Sequence, residues 1–176
     1  REMVEAGVDG LTIYQETYDP ELYKELHLFG KKRDFEWRLG TPERGGEAGI
    51  RRIGIGALLG LGNFYLETFF TGLHALYLAH RYWRSLVSVS FPRIRPAEGG
   101  FAPRYTVSDR QMVQGICAMR LLLPDCGLTM STRESARFRD NLIPLGITQM
   151  SAGSSTAPGG YSHKGEGTGQ FNIDDD

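Results

Sequence analysis

The chain has 176 residues and carries 20 Lys+Arg against 21 Asp+Glu, a net charge of −1. That length suits one domain or a piece of one, and the charge excludes the strongly basic footprint of a nucleic-acid binder. The stretches without charge, Ile53 to Leu66 and Thr68 to Leu78, are separated by Glu67 and are too short to span a bilayer. Neither nucleic acid nor a membrane is therefore an expected partner. The two cysteines, Cys117 and Cys126, exclude a four-cysteine zinc site or a self-contained iron–sulfur cluster. They give no disulfide framework and no stretch reads as a secretory signal, so a cytoplasmic setting is expected. Glycine is in excess, 23 residues or about 13% against a typical ~7%, and most lie at segment ends. Arg1 enters a helix-like phrase already under way and the tail is polar and acidic, so the chain is expected to be a fragment.

A strand is predicted over Gly10–Tyr14, running into Gln15-Glu16-Thr17-Tyr18. Asp19 with Pro20 opens a helix to about His27. After the polar loop Gly30–Asp34 and the phrase Phe35–Arg38, Thr41-Pro42-Glu43 opens another short helix that Gly49 closes. The second strand covers Ile53–Leu59, and a long helix runs from Phe64 to Arg84. Its aromatics Phe64, Tyr65, Phe69, Phe70, Tyr77, Tyr82 and Trp83 read as one buried face. The third strand, Val87–Phe91, stops at Pro92. Ser108-Asp109-Arg110-Gln111 is a capping box for a helix to about Leu123. The fourth strand is Gly127–Thr132, Glu134–Leu145 is helical, and the fifth strand, Ile147–Ser151, meets the turn Ala152-Gly153-Ser154.

Strand, loop and helix thus repeat four times before a fifth strand, the pattern of a parallel sheet with helical crossovers. Alternation alone does not separate an open sheet from a barrel, and five strands make only part of a closed barrel of ~250 residues. Polar residues gather at the C-terminal strand ends: Gln15-Glu16-Thr17, Arg93 and Arg95, Ser131–Glu134, Ser151 and Ser154. That edge is where ligands bind in both architectures. The expected fold is parallel α/β, with a barrel favoured.

Glu16 and Arg133, at two strand ends, suit the amine and carboxylate of an amino acid, since a guanidinium fork pairs bidentately with a carboxylate. An ion pair across the mouth is the equal alternative. Arg38 suits either an anion or a loop cap. The glycines of Gly54–Gly62 lack dinucleotide spacing, which leaves close packing or a flat ligand against bare backbone. Ser151–Ser154 lacks the Gly-x-Ser-x-Gly pattern and a nearby histidine base. His27 and His163 fall in loops, and His74 and His80 suit packing or surface roles better than metal binding. Cys117 reads as core and Cys126 as a turn residue with no basic neighbour. No nucleophile, other catalytic residue or metal site is identified.

In order along the chain stand Tyr14-Gln15-Glu16-Thr17-Tyr18, Gly30-Lys31-Lys32-Arg33-Asp34-Phe35-Glu36-Trp37-Arg38, Gly54–Leu61, Ser90-Phe91-Pro92-Arg93-Ile94-Arg95-Pro96, Ser131-Thr132-Arg133-Glu134-Ser135 and Gln149–Ser154. Together they resemble the radical S-adenosylmethionine tyrosine lyases, closest to the 2-iminoacetate synthase branch of thiamine biosynthesis. The Lys31-Lys32 loop and Asp140–Leu145 favour that branch over the related lyases of hydrogenase-cofactor maturation.

The resemblance implies the second half of a (β/α)₈ TIM-type barrel, with residues 1–176 as its C-terminal part. That part includes the biotin/thiamin synthesis-associated region. The cluster-binding part, with its C-x₃-C-x₂-C motif for a 4Fe–4S cluster, is missing. It implies S-adenosylmethionine as cofactor, a 5′-deoxyadenosyl radical, and cleavage of the tyrosine Cα–Cβ bond to 2-iminoacetate (dehydroglycine) and 4-cresol. Thiazole synthase and an electron donor such as flavodoxin or ferredoxin are the implied partners. By motif, Glu16 and Arg38 hold the methionyl amine and carboxylate, Tyr14 and Gln15 line the same cavity, and Ile55 and Gly56 meet adenine along the backbone. Arg133 binds the tyrosine carboxylate, with Ser151 assisting. The fragment alone is expected to be inactive, and a degenerate amino-acid-binding module is the rival reading.

Overall fold

A computed structural model describes residues 1–94 and 102–152. Five strands, β1 (Gly10–Glu16), β2 (Arg52–Ala57), β3 (Leu86–Ser90), β4 (Gly127–Met130) and β5 (Gln149–Met150), form one sheet in the order β1-β2-β3-β4-β5. Every pairing is parallel. Sequential order with a helical connection after each strand is the arrangement of a barrel wall. Here it forms an arc, and among the described residues β1 and β5 each pair on one side only.

The register sorts the two faces of the arc. Ile13, Ile55, Val89 and Leu128 are aligned across four strands, and the last three belong to the buried core with Ile53 and Val87. The alternate rows carry Thr12, Gly54, Ser88 and Gly127, then Tyr14, Gly56, Ser90, Thr129 and Gln149. Because partners in register share a face, one face is aliphatic and covered by helices. The other is polar and built of small residues. Thr129 donates to the Gln149 amide oxygen across it at 3.1 Å.

The helices are α1 (Glu2–Glu5), α2 (Pro20–Leu26), α3 (Phe35–Leu39), α4 (Thr41–Glu47), α5 (Phe64–Arg81), α6 (Asp109–Leu122) and α7 (Ala136–Leu142). The Asp19 carboxylate caps α2 through Glu21 N and Leu22 N, Asn63 caps α5, and the Ser108/Gln111 box caps α6 as expected. Several boundaries differ. α5 ends at Arg81 and β4 at Met130. α7 begins only at Ala136, and Ile143–Leu145 tightens into a 3₁₀ turn before Gly146 at φ 108°. Phe35–Leu39 is a helix that the sequence reading left without structure; Asp34 caps it by accepting from Trp37 N at 2.9 Å.

The expected aromatic face of α5 is overturned. Phe64 is buried, but Tyr65, Phe69, Phe70, Tyr77 and Trp83 are exposed. The buried stripe is Phe64, Glu67, Thr71, Ala75 and Leu78, spaced at three or four residues. Its small and polar members let the helix lie close to the sheet. Composition pointed to the large rings, whereas the periodicity that contacts the sheet runs through smaller residues.

Candidate functional site

The C-terminal edge of β1 carries the densest group of unusual features. Tyr14 aligns with Gly56 and Glu16 with Ala57, so a bulge at Gln15 sets two β1 steps against one of β2. Glu16 follows in the left-handed region at φ 73°, alone among the described non-glycine residues. Such a backbone costs about 1–3 kcal/mol and persists only where its surroundings fix it. One fixing contact is Leu58 N donating to Glu16 O at 2.7 Å.

The Glu16 carboxylate receives Lys32 Nζ at 3.0 Å and Arg38 Nη2 at 3.5 Å. Arg38 comes from α3, and its Nε donates to the Tyr14 carbonyl at 2.8 Å. The side chains of Glu16 and Arg38 are 17% and 16% exposed, shielded enough for their charges to count and open enough to be reached. An acceptor beside a donor fork is the complement of an amino-acid zwitterion. Gln15 is buried, and its Nε2 has no hydrogen-bond partner. An orphan donor of this kind costs about 1–3 kcal/mol until an acceptor reaches it. These donors and acceptors fit the methionyl end of S-adenosylmethionine.

On β2, the space a Gly56 Cβ would take is filled by the Ser90 carbonyl and the Tyr14 ring, and that of Gly54 by Thr12 and Ser88. These glycines therefore serve close strand–strand packing on the polar face. Ile55 is 1% exposed in the helix-side core, and Gly56 is buried as well.

At the other end of the arc, Ser131 Oγ accepts from Arg133 N at 3.2 Å, and Ser151 N donates to Met130 O at 3.0 Å. Burial lowers the Arg133 pKa, while Tyr14, Glu16 and Glu134 act to raise it. The fold thus brings Arg133 into the field of Glu16 and Tyr14. The next residue, Glu134, is 1% exposed and takes both arms of the Arg93 guanidinium, the Nε arm at 2.9 Å. Arg93 also donates to Val107 O and pairs with Asp109, each at 2.8 Å. Its burial favours the neutral form, and these carboxylates outweigh it to raise the pKa. Arg93, Glu134 and Lys32 were not singled out as site residues in the sequence, although the first two lay in the polar clusters at the strand ends.

Behind β1, the buried Glu67 carboxylate of α5 accepts from Thr17 Oγ1 and from Tyr18 N, the latter at 2.9 Å. Burial raises its pKa against these two donors, which lower it. Tyr18 Oη lies 2.8 Å from His74 Nδ1. Burial raises the tyrosine pKa and lowers that of His74 to about 4, so the pair is a protonated phenol and a neutral imidazole. His74 thus has a packed, hydrogen-bonded role, and His27 stacks on Tyr23 at 4.1 Å. Cys126 does have a basic neighbour: Arg120 Nη1 donates to its carbonyl at 3.0 Å. The thiol is buried, which raises its pKa despite that arginine.

Among the described residues no three His, Cys, Asp or Glu side chains converge on a metal-sized site. With two cysteines, one in α6 and one in a turn, the chain's own residues do not fit a 4Fe–4S cluster. No helix of the described residues is long and apolar enough to cross a membrane. Arg95, Gly153, Ser154 and His163 lie outside the described residues.

Residues 90–176 match the Biotin and Thiamin Synthesis associated domain. The chain is 50% identical over 176 residues to 2-iminoacetate synthase of Escherichia coli (strain K12), covering 99% of this chain and 47% of that protein. It is 49% identical over 175 residues to 2-iminoacetate synthase of Salmonella typhimurium (strain LT2), covering 99% of this chain and 46% of that protein. The FeFe-hydrogenase maturase HydG from Carboxydothermus hydrogenoformans superposes with a TM-score of 0.87 at 40% identity, over 99% of this chain and 40% of that one. A second HydG crystal structure gives 0.86 at 35% identity, over 99% and 38%. The chain spans about half the length of the curated relatives it matches. The resemblance read from the strand ends and the parallel α/β half-barrel both stand.

Proposed function

We propose that this chain, which corresponds to the C-terminal part of a radical S-adenosylmethionine lyase of the 2-iminoacetate synthase type, forms the ligand-holding half of a tyrosine lyase barrel. The observation that carries the reading is the juxtaposition at the mouth of the arc. A carboxylate and a guanidinium, Glu16 and Arg38, lie side by side, and a second guanidinium, Arg133, lies within electrostatic reach of Glu16.

Glu16 accepts from the methionyl amine of S-adenosylmethionine and Arg38 donates to its carboxylate, with Tyr14 and the unsatisfied Gln15 amide lining the same cavity. Backbone at Ile55 and Gly56 meets the adenine. Arg133 takes the tyrosine carboxylate with help from Ser151, which orients the substrate amine and Cα toward the mouth. S-Adenosylmethionine, with a 4Fe–4S cluster held by cysteines outside this chain, supplies the hydrogen-abstracting radical chemistry. The protein's part is to hold two amino-acid head groups in fixed relative positions, the geometric contribution to rate that orientation makes.

The overall reaction is Cα–Cβ cleavage of tyrosine to 2-iminoacetate and 4-cresol for the thiamine thiazole. Thiazole synthase and a flavodoxin- or ferredoxin-type electron donor are its partners in a cytoplasmic setting. Identity near 50% to two 2-iminoacetate synthases, against 40% and 35% to the maturases, supports the thiamine branch. Anaerobic turnover of tyrosine by the full-length protein tests it. The expected products are 4-cresol and 2-iminoacetate; cyanide and carbon monoxide would place it instead in the hydrogenase-maturation branch, and tyrosine binding with no turnover would leave a binding module.

A further inference from the structure

Glu67 is the one acidic residue of α5, and it is 2% exposed. A carboxylate so deep is costly unless donors surround it. Both of its hydrogen bonds go to the two residues that follow Glu16, through the Thr17 hydroxyl and the Tyr18 backbone N–H. Thr17 is itself fully buried, and its Oγ1 accepts from Asp19 N at 3.1 Å, which orients the hydroxyl toward Glu67.

Gly62 makes room for this arrangement. A Cβ at that position would collide with Glu67 Oε1, and Gly62 ends the glycine run Gly54–Gly62. Asn63 then starts α5 and sets the height of Glu67, whose N–H donates to Asn63 O at 3.0 Å.

The clamp lies immediately after the left-handed turn at φ 73°. A conformation of that cost must be held from both sides. Leu58 N holds Glu16 through its carbonyl, and Glu67 holds the chain just beyond it. Loss of the second hold is expected to let the backbone of residue 16 relax toward an ordinary extended or helical φ. Its carboxylate then leaves the Arg38 and Lys32 side chains.

We infer that Glu67 is a positioning residue for S-adenosylmethionine: acting through Thr17 and Tyr18, it holds Glu16 in the orientation that receives the methionyl amine, with Gly62 as its required companion. The inference rests on the reading of Glu16 given above. Glu67 touches neither ligand directly.

The test is equilibrium binding of S-adenosylmethionine and of tyrosine, measured separately on the full-length, cluster-loaded protein. Glu67→Gln removes the carboxylate charge; with its amide toward Thr17 the hydroxyl accepts instead of donating, and the buried Thr17 O–H loses its acceptor. It is expected to raise the S-adenosylmethionine Kd about tenfold and to leave the tyrosine Kd within about twofold. If that variant does not fold, Thr17→Val and Thr17→Ser replace it: valine weakens S-adenosylmethionine binding and serine, which keeps the hydroxyl, restores it. A merely structural role would raise both Kd values together, and that result overturns the inference. So does unchanged S-adenosylmethionine affinity in Glu67→Gln while Glu16→Gln loses it. If Glu16→Gln itself binds normally, the reading of Glu16 falls, and the role of Glu67 falls with it.

Discussion

Two ion clusters sit on the same sheet edge, one after β1 and the other after β3 and β4, and they are built on opposite terms. Arg93 and Glu134 have side chains 5% and 1% exposed, joined by a bidentate fork, with two further Arg93 donors taken by Val107 O and Asp109. Glu16 is three times more exposed than Arg93, at 17%; it sits in a left-handed backbone and is approached by Lys32 and Arg38 from the side. Beside it the Gln15 amide nitrogen has no partner. A cluster whose bonds are complete and buried holds the loop that carries Arg133. A cluster with an unfavourable backbone, an orphan donor and partial exposure is the one proposed above to receive a ligand. The contrast separates scaffold from site more sharply than the presence of charge does.

Breaking the scaffold gives the largest expected effect. Arg93→Ala leaves the Glu134 carboxylate buried without its fork and is expected to cost about 3–5 kcal/mol in urea unfolding. A loss under about 1 kcal/mol is the value for an exposed pair and would contradict this division. On the site side, Glu16→Gly removes a left-handed penalty of about 1–2 kcal/mol. That variant is expected to be at least as stable as the wild type while binding S-adenosylmethionine more weakly, a combination no scaffold residue gives.

A smaller, pH-dependent effect belongs to His74. Its pKa is lowered to about 4 from 6.5 by burial, with Glu43 opposing. Between those values the unfolded chain binds the proton and the folded one does not. Stability present above pH 6.5 is therefore lost as pH falls toward 4. His74→Gln keeps a partner for the Tyr18 hydroxyl and should flatten the unfolding profile across that window; an equally steep profile would assign the loss to other groups. The smallest effect is at Lys32, 55% exposed. Lys32→Ala is expected to change stability by less than about 1 kcal/mol, because an exposed pair is screened.

The order of the strands and the edge that carries the site were legible because alternation of apolar runs and helices admits few topologies, and the strand-end polar residues stand out. Glu16 and Arg133 were singled out that way. Arg38 was visible as a charge, but its helix was not, since Phe35–Leu39 is too short to show a period. The Arg93–Glu134 fork joins residues 41 apart, a distance over which the sequence gives no pairing signal. The conformation of Glu16 was hidden for another reason: a positive φ is announced by glycine or asparagine, and here tertiary contacts impose it on glutamate. The α5 face was misread because ring size outweighed spacing. Glu67, a lone charge at the helical interval between Phe64 and Thr71, was the available sign of a buried carboxylate.

The most direct test of the site is the tyrosine dissociation constant of Arg133→Ala in the full-length protein, with iron content measured on the same sample. The account predicts affinity lowered by about tenfold or more, the loss of a charge-assisted fork, with iron content unchanged. Wild-type tyrosine affinity in that variant would contradict the placement of the substrate carboxylate at this end of the arc.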